Sequence, residues 1–240
     1  MALSLSQFVV SDGNRKAYEL VKDITKKQEG QIRAFIVGPE GSGKTALVRA
    51  RWSDRDLLSP KKTTYIACKE VVSIIRNSIN GVYPEESGMD KFINDLATCD
   101  VLFLDDIDGF WEDKEMGPET GKLLLNARNA AKLDTVITSR KPLGSYVLKG
   151  YGDALNGFVQ VDIDPYDPGD LVGYVKEQQE RFKTDASPAL SDDAIDFIAN
   201  EMGETPERIS RIVEFFMTQL GDEVAAGQIL DREFVKEATS

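Results

Sequence analysis

Apolar positions along the chain follow two rhythms up to about residue 165 and one rhythm after it. Ile32–Val37, Thr63–Ala67, Val101–Leu104 and Thr135–Thr138 are short, nearly continuous apolar or β-branched runs. Such runs predict strands buried on both faces rather than half-exposed ones. Between them, Arg15–Gln28, Lys69–Ile79 (stopped by Asn80-Gly81) and Glu119–Lys132 place apolar residues three and four apart, the spacing of amphipathic helices. Strands alternating with helices predict a parallel sheet covered by helices. After Pro165 only the helical rhythm remains. Asp170–Phe182 follows a Pro-Tyr-Asp-Pro-Gly turn, and Ser191-Asp192-Asp193 caps a helix carrying Ile195, Phe197 and Ile198. Glu207–Leu220 sets Ile209, Ile212, Val213 and Phe216 on one face, and Asp231–Ala238 is a short last helix. The expected organisation is an α/β core over 1–163 and a small helical domain over 164–240.

Charge changes character at the same boundary. From Val161 onward the chain has 19 acidic and 7 basic residues, a net −12, while residues 1–160 carry 22 of each. An acidic C-terminal third repels phosphates, so duplex DNA binding is expected to be weak or absent. With no histidine in 240 residues, His-based acid/base chemistry, Ser-His triads and His-ligated metals are excluded. Cys68 and Cys99 lack metal-ligand spacing and read as reduced thiols. The chain has no basic leader and no apolar run near the ~20 residues of a membrane span, so a cytoplasmic protein is expected.

The strand ending at Val37 runs into Gly38-Pro39-Glu40-Gly41-Ser42-Gly43-Lys44-Thr45, and Ala46 continues into a predicted helix. This is G-x-x-x-x-G-K-[ST] in a strand–loop–helix context, the phosphate-binding P-loop. Glycines let backbone N–H groups turn inward, and the helix N-terminus adds a positive dipole end. Lys44 brings an ammonium to the β- and γ-phosphates, and Thr45 a hydroxyl to Mg²⁺. Sixty residues later Val101-Leu102-Phe103-Leu104 delivers Asp105-Asp106 at a strand end. Asp105 is expected to hold the metal and Asp106 to orient or deprotonate the attacking water. ATP or ADP with Mg²⁺ are therefore the expected ligands, and no guanine-specifying N-K-x-D segment is found.

These motifs, with Phe8-Val9-Val10-Ser11-Asp12-Gly13-Asn14-Arg15, Asp100–Ile107 and Val136-Ile137-Thr138-Ser139, resemble the AAA+ core of the DnaA family and its shorter relative Hda. The resemblance implies a P-loop AAA+ core with a five-stranded parallel sheet, then a small all-α lid opening near Val161-Asp162-Ile163-Asp164-Pro165. It implies that Val9, Val10 and Asn14 line an adenine pocket and that Ser139 (or Arg140) lies near the γ-phosphate. Arg208, or Glu207 in strict register, falls at the family's lid arginine. Where the family has an arginine finger in a segment like D-R-L-x-S-R-F, this chain has Asp153-Ala154-Leu155-Asn156-Gly157-Phe158, without arginine.

The family's DNA-reading helix-turn-helix is not matched, and Met1–Ser6 lacks the glutamine and proline of a clamp-binding peptide. The expected partner is another AAA+ or replication protein, such as an initiator, helicase or clamp. Single-stranded DNA (through Arg76, Lys114, or Arg49, Arg51, Lys61 and Lys62 near Trp52) and self-association stay open, as does a helicase loader of the DnaC or DnaI type. A further alternative is a nucleotide-gated binding module with negligible hydrolysis, ATPase activity being weak or partner-stimulated.

Overall fold

The computed structural model describes residues 4–24, 31–54, 61–80, 86–184, 187–202, 206–219 and 227–239, with backbone alone at 7, 86–89, 207 and 219. The predicted helix ends at Gln28 and Leu220, the stop residue Gly81, and Met1–Leu3 lie outside the described residues. The chain divides into two compact units, one of Met1–Glu40 and Lys44–Asp164, the other of Gly41–Gly43 and Pro165–Ser240.

In the first unit a 3₁₀ turn at Leu5–Gln7 leads to α1 (Arg15–Asp23), β1 (Arg33–Val37), α2 (Lys44–Ser53), β2 (Thr63–Ala67), α3 (Cys68–Ile79) and α4 (Glu86–Thr98). β3 (Val101–Asp105), α5 (Gly109–Glu112), α6 (Gly117–Ala130) and β4 (Asp134–Ser139) follow. α7 (Leu143–Tyr146) then runs into a π-helical turn at Val147–Tyr151 before β5 (Val159–Asp162). The five strands are parallel in the order β2-β3-β4-β1-β5. Their side chains alternate between two cores. Ala34, Ile36, Val101, Phe103 and Val136 pack with Ala17, Val21, Leu47 and Val48 on one face. Phe35, Val37, Leu102, Leu104 and Ile137 pack with Val71, Ile75, Leu124 and Leu125 on the other. This two-sided burial is why the strands read as unbroken apolar runs.

Three features depart from the sequence expectation. α4 was not expected, because Phe92, Ile93, Leu96 and Ala97 are its main apolar residues and they fall only in its second half. Val161 and Asp162 do not open the lid; they pair with Ile36 and Val37 as the end of β5, a sheet-edge strand whose Val159 is exposed and gives no apolar run. Arg128, on α6, is fully buried. It donates to the carbonyls of Leu96, Cys99 and Asp134 and to Thr135 Oγ1, joining the end of α4 to the start of β4.

The second unit comprises α8 (Pro168–Phe182), β6 (Ala189–Leu190), α9 (Asp192–Phe197), α10 (Pro206–Glu214), β7 (Ile229–Leu230) and α11 (Arg232–Ala238). α9 and α10 each continue into a π-helical turn. Asp167, Ser191 and Asp231 cap α8, α9 and α11 by accepting from Asp170 N, Ala194 N and Phe234 N. α8 packs with α10, and Leu171, Tyr174 and Val175 of the one and Ile209 and Val213 of the other are buried. The unit is helical except for the two-residue parallel pair β6–β7.

Candidate functional site

The phosphate-loop signature lies where β1 ends and α2 begins. Gly41 and Gly43 adopt φ of 78° and 87°, which a Cβ would disfavour, and Ser42 between them is buried. Pro39, Glu40 and Thr45 are exposed, and Gly38 is buried beneath them. Lys44 is only 9% exposed and its Nζ donates to the carbonyls of Gly38 at 2.7 Å and Pro39 at 2.6 Å. Burial lowers the pKa of this ammonium, against the pull of Asp105 and Asp106.

β3 carries Asp105 to the same end of the sheet. Its Oδ1 accepts from Thr45 Oγ1 at 3.0 Å and Thr138 Oγ1 at 2.6 Å, and its Oδ2 from Tyr65 OH at 2.7 Å. Asp106 takes a left-handed backbone, φ 53°, and its N–H donates to Thr138 Oγ1 at 2.8 Å. Its Oδ1 is buried with no hydrogen-bond partner among the described residues, and its Oδ2 lies 3.8 Å from Arg140. Burial raises the Asp106 carboxyl above its ordinary value; Arg140 opposes the shift, and Asp108 and Asp105 add to it. Lys141 Nζ donates to Asp108 Oδ1 at 3.0 Å, so the exit of β4 places two cations among these acids.

The Thr45 hydroxyl and the Asp105 carboxylate 3.0 Å from it form a hard oxygen donor set. It fits Mg²⁺, which binds one or two carboxylates and takes its remaining ligands from water and substrate phosphates. Among the described residues no group of three or more acidic or cysteine side chains that could hold a metal gathers, here or elsewhere.

Ser139 and Thr138 end β4 on opposite faces of the sheet. Strand parity puts Ser139 on the face of Ile137, where its Oγ meets Tyr146 OH at 2.8 Å and Lys141 O and N at 2.7 and 2.9 Å. Its neighbour Thr138 shares the face of Val136 and touches both the Asp105 carboxylate and the Asp106 backbone. Sequence reading did not place Thr138 or Tyr65 in this site and took Arg49 only as a possible single-stranded DNA contact; strand parity along β4, and on β2 back from Ala67 opposite Asp105, puts the first two on the Asp105 face. Asn14 is buried and staples its own segment, accepting from Ser11 N at 2.9 Å and donating to Val9 O at 2.9 Å. Val9 and Val10 beside it are partly exposed, and Asp164 N donates to Gly13 O at 3.1 Å.

Arg208 is exposed on α10, and the side chain of Glu207 lies outside the described residues. In the 153–158 segment, Asn156 O accepts from Arg33, a residue of β1, at 2.8 Å. The basic side chains that could meet single-stranded DNA hold partners within the fold. Arg49 binds Tyr65, Arg51 is buried against Asp54 O, and Lys61 and Lys62 pair with Asp134 and Asp95. Arg76 is paired with Asp113. No helix among the described residues is long and apolar enough to cross a membrane.

Comparison with known proteins agrees with this geometry. Residues 2–146 match the family model of the bacterial DnaA ATPase domain. The chain is 26% identical over 234 residues to the chromosomal replication initiator protein DnaA of Campylobacter jejuni strain 81-176, covering 93% of this chain and 50% of that one. It thus spans about half the length of the curated relatives it matches. Domain III of the Thermotoga maritima replication initiation protein DnaA superposes with a TM-score of 0.74 at 16% identity, covering 97% of this chain and 93% of that one. AMPPCP-bound DnaA from Aquifex aeolicus gives 0.72 at 21% identity, covering 98% and 69%. The match over residues 2–146, which hold the P-loop and the Asp105 carboxylate bonded to Thr45, places the chain in the bacterial DnaA ATPase-domain family.

Proposed function

We propose that this chain is an ATP-binding AAA+ protein that acts in replication initiation or its regulation by docking on another AAA+ or replication protein in an ATP-dependent manner. The observation that carries the reading is the Thr45–Asp105 hydrogen bond at 3.0 Å. It ties the phosphate loop to the acidic strand end and brings Lys44, Thr45, Asp105 and Asp106 into one site. Residues 1–163 are the nucleotide-binding core and 164–240 its lid.

Lys44 leaves the Gly38 and Pro39 carbonyls to meet the β- and γ-phosphates, and the backbone of Gly38–Thr45, with Ala46 opening α2, surrounds them. Val9 and Val10, stapled by Asn14, contact the base. Thr45 and Asp105 would hold Mg²⁺, which would supply charge neutralisation on the phosphates. Asp106 accepts the proton of the attacking water, and its raised carboxyl pKa makes it a better base than an ordinary aspartate. Ser139 acts through Lys141 and Tyr146 in placing the β4 exit, and Arg208 reports nucleotide state from the lid.

The absence of arginine from the 153–158 segment favours turnover triggered by an arginine from a partner. Such a finger is worth on the order of 10³-fold or more. The relatives' name, chromosomal replication initiator protein, supports the replication context.

The test is ATP binding by calorimetry, with steady-state hydrolysis over a protein concentration series, with and without single-stranded DNA. ATP·Mg²⁺ binding lost in Lys44→Ala, with turnover near zero until a partner is added, is expected. A wild-type chain that does not bind ATP refutes the proposal. Turnover rising with protein concentration or DNA would replace partner triggering with self-assembly.

A further inference from the structure

Tyr65 stands in a hydrogen-bond relay that the roles above leave unused. It lies on β2 two residues before Ala67, the register partner of Asp105, so its side chain shares the sheet face on which Asp105 ends β3. The phenol oxygen is 2.7 Å from Asp105 Oδ2, and Arg49 Nε is 2.8 Å from the phenol oxygen. An arginine N–H can only donate. The phenol oxygen therefore accepts from Arg49, and its single proton is directed to Asp105. The ring itself is held by Trp52, with centroids 5.7 Å apart, and by the Arg49 guanidinium at 5.1 Å.

We propose that Tyr65, oriented by Arg49, is a positioning residue that locks the Asp105 carboxylate in the orientation that serves Mg²⁺·ATP. This rests on the nucleotide-site reading given above. Asp105 Oδ1 is already shared by Thr45 and Thr138, and Tyr65 is the only donor to Oδ2 among the described residues. With both oxygens held, the carboxylate cannot rotate about its terminal bond, and the metal meets a fixed oxygen rather than a mobile one. Groups that orient a metal-binding side chain cost about 10–100-fold in metal affinity when removed.

Tyr65→Phe deletes one oxygen and keeps the ring packing. The experiment titrates the full chain with a fluorescent N-methylanthraniloyl ATP across a Mg²⁺ series and in EDTA. Tyr65→Phe should need about 10-fold more Mg²⁺ or higher to reach half-maximal binding. Its affinity in EDTA should equal that of the wild type, and Arg49→Gln should shift the Mg²⁺ midpoint in the same direction by less. A Mg²⁺ curve superimposable on the wild type for Tyr65→Phe overturns the proposal. So does an equal loss of affinity with and without Mg²⁺, which marks a merely structural residue. A wild-type chain without Mg²⁺-dependent nucleotide binding overturns the nucleotide-site reading itself, and this proposal with it.

Discussion

Replacing Thr138 by valine removes one hydroxyl and leaves the shape of the side chain unchanged. That hydroxyl is 1% exposed at the residue level and serves two partners at once. It donates to Asp105 Oδ1 at 2.6 Å and accepts from the Asp106 N–H at 2.8 Å. A hydrogen bond to a charged group contributes about 1.5–3 kcal/mol, and an unsatisfied buried N–H costs about 1–3 kcal/mol. Thr45 and Tyr65 still hold Asp105, which places the expected loss toward the lower end of the combined range, about 3 kcal/mol. For a chain of this size that lowers Tm by roughly 6–12 °C. Thr138→Ser keeps both bonds and loses only a methyl group, about 1 kcal/mol. The assay is thermal and urea denaturation of the nucleotide-free wild type and both variants. A Thr138→Val protein no less stable than Thr138→Ser would show that the hydroxyl does not hold the two aspartates, and the account of the β4 end would fail.

Asp106→Asn should keep ATP binding and abolish turnover, and retained hydrolysis would move the base elsewhere. The Asp106 carboxyl titrates above its ordinary 3.8 in the folded chain, so the folded protein holds this proton more tightly than the unfolded one. Ionisation therefore lowers stability as pH rises through the native value, and the neutral amide should make Asp106→Asn the more stable protein near pH 7. The gap should close as pH falls toward 3.8, where the wild type is protonated too; a gap that widens on acidification would reverse the sign of the shift. Arg128→Met strands the carbonyls of Leu96, Cys99 and Asp134 and should cost about 3 kcal/mol or more in urea denaturation, whereas a loss below about 1 kcal/mol would make the buried guanidinium dispensable. If the γ-phosphate is sensed, ATP·Mg²⁺ should raise Tm more than ADP·Mg²⁺ at matched saturation, and equal shifts would rule out an ATP switch.

By itself the sequence determined much of the core. The four apolar runs became β1 to β4 to within a residue or two because strands buried on both faces need no partner-specific pattern to be visible. The phosphate loop was legible because its chemistry is local. Gly41 and Gly43 must reach positive φ, and Lys44 must open a helix, whatever surrounds them. Helix starts at Ser191 and Asp231 were legible for the same reason, since a cap bonds within three residues.

What the tertiary structure decided is pairing across strands. Edge strand β5 buries too little to leave an apolar signature, so only its register with β1 reveals it. Thr138 rather than Ser139 meets the aspartates because sheet parity, set by which face packs on α2, sends adjacent residues of β4 to opposite sides. Tyr65 reaches Asp105 across 40 residues of chain, and Arg128 gathers carbonyls as many as 32 residues away. The partners of Arg49, Arg51, Lys61 and Lys62 were hidden on the same account. These charges are close in sequence, but each is drawn to a different partner in space, and a linear sequence carries no record of those distances.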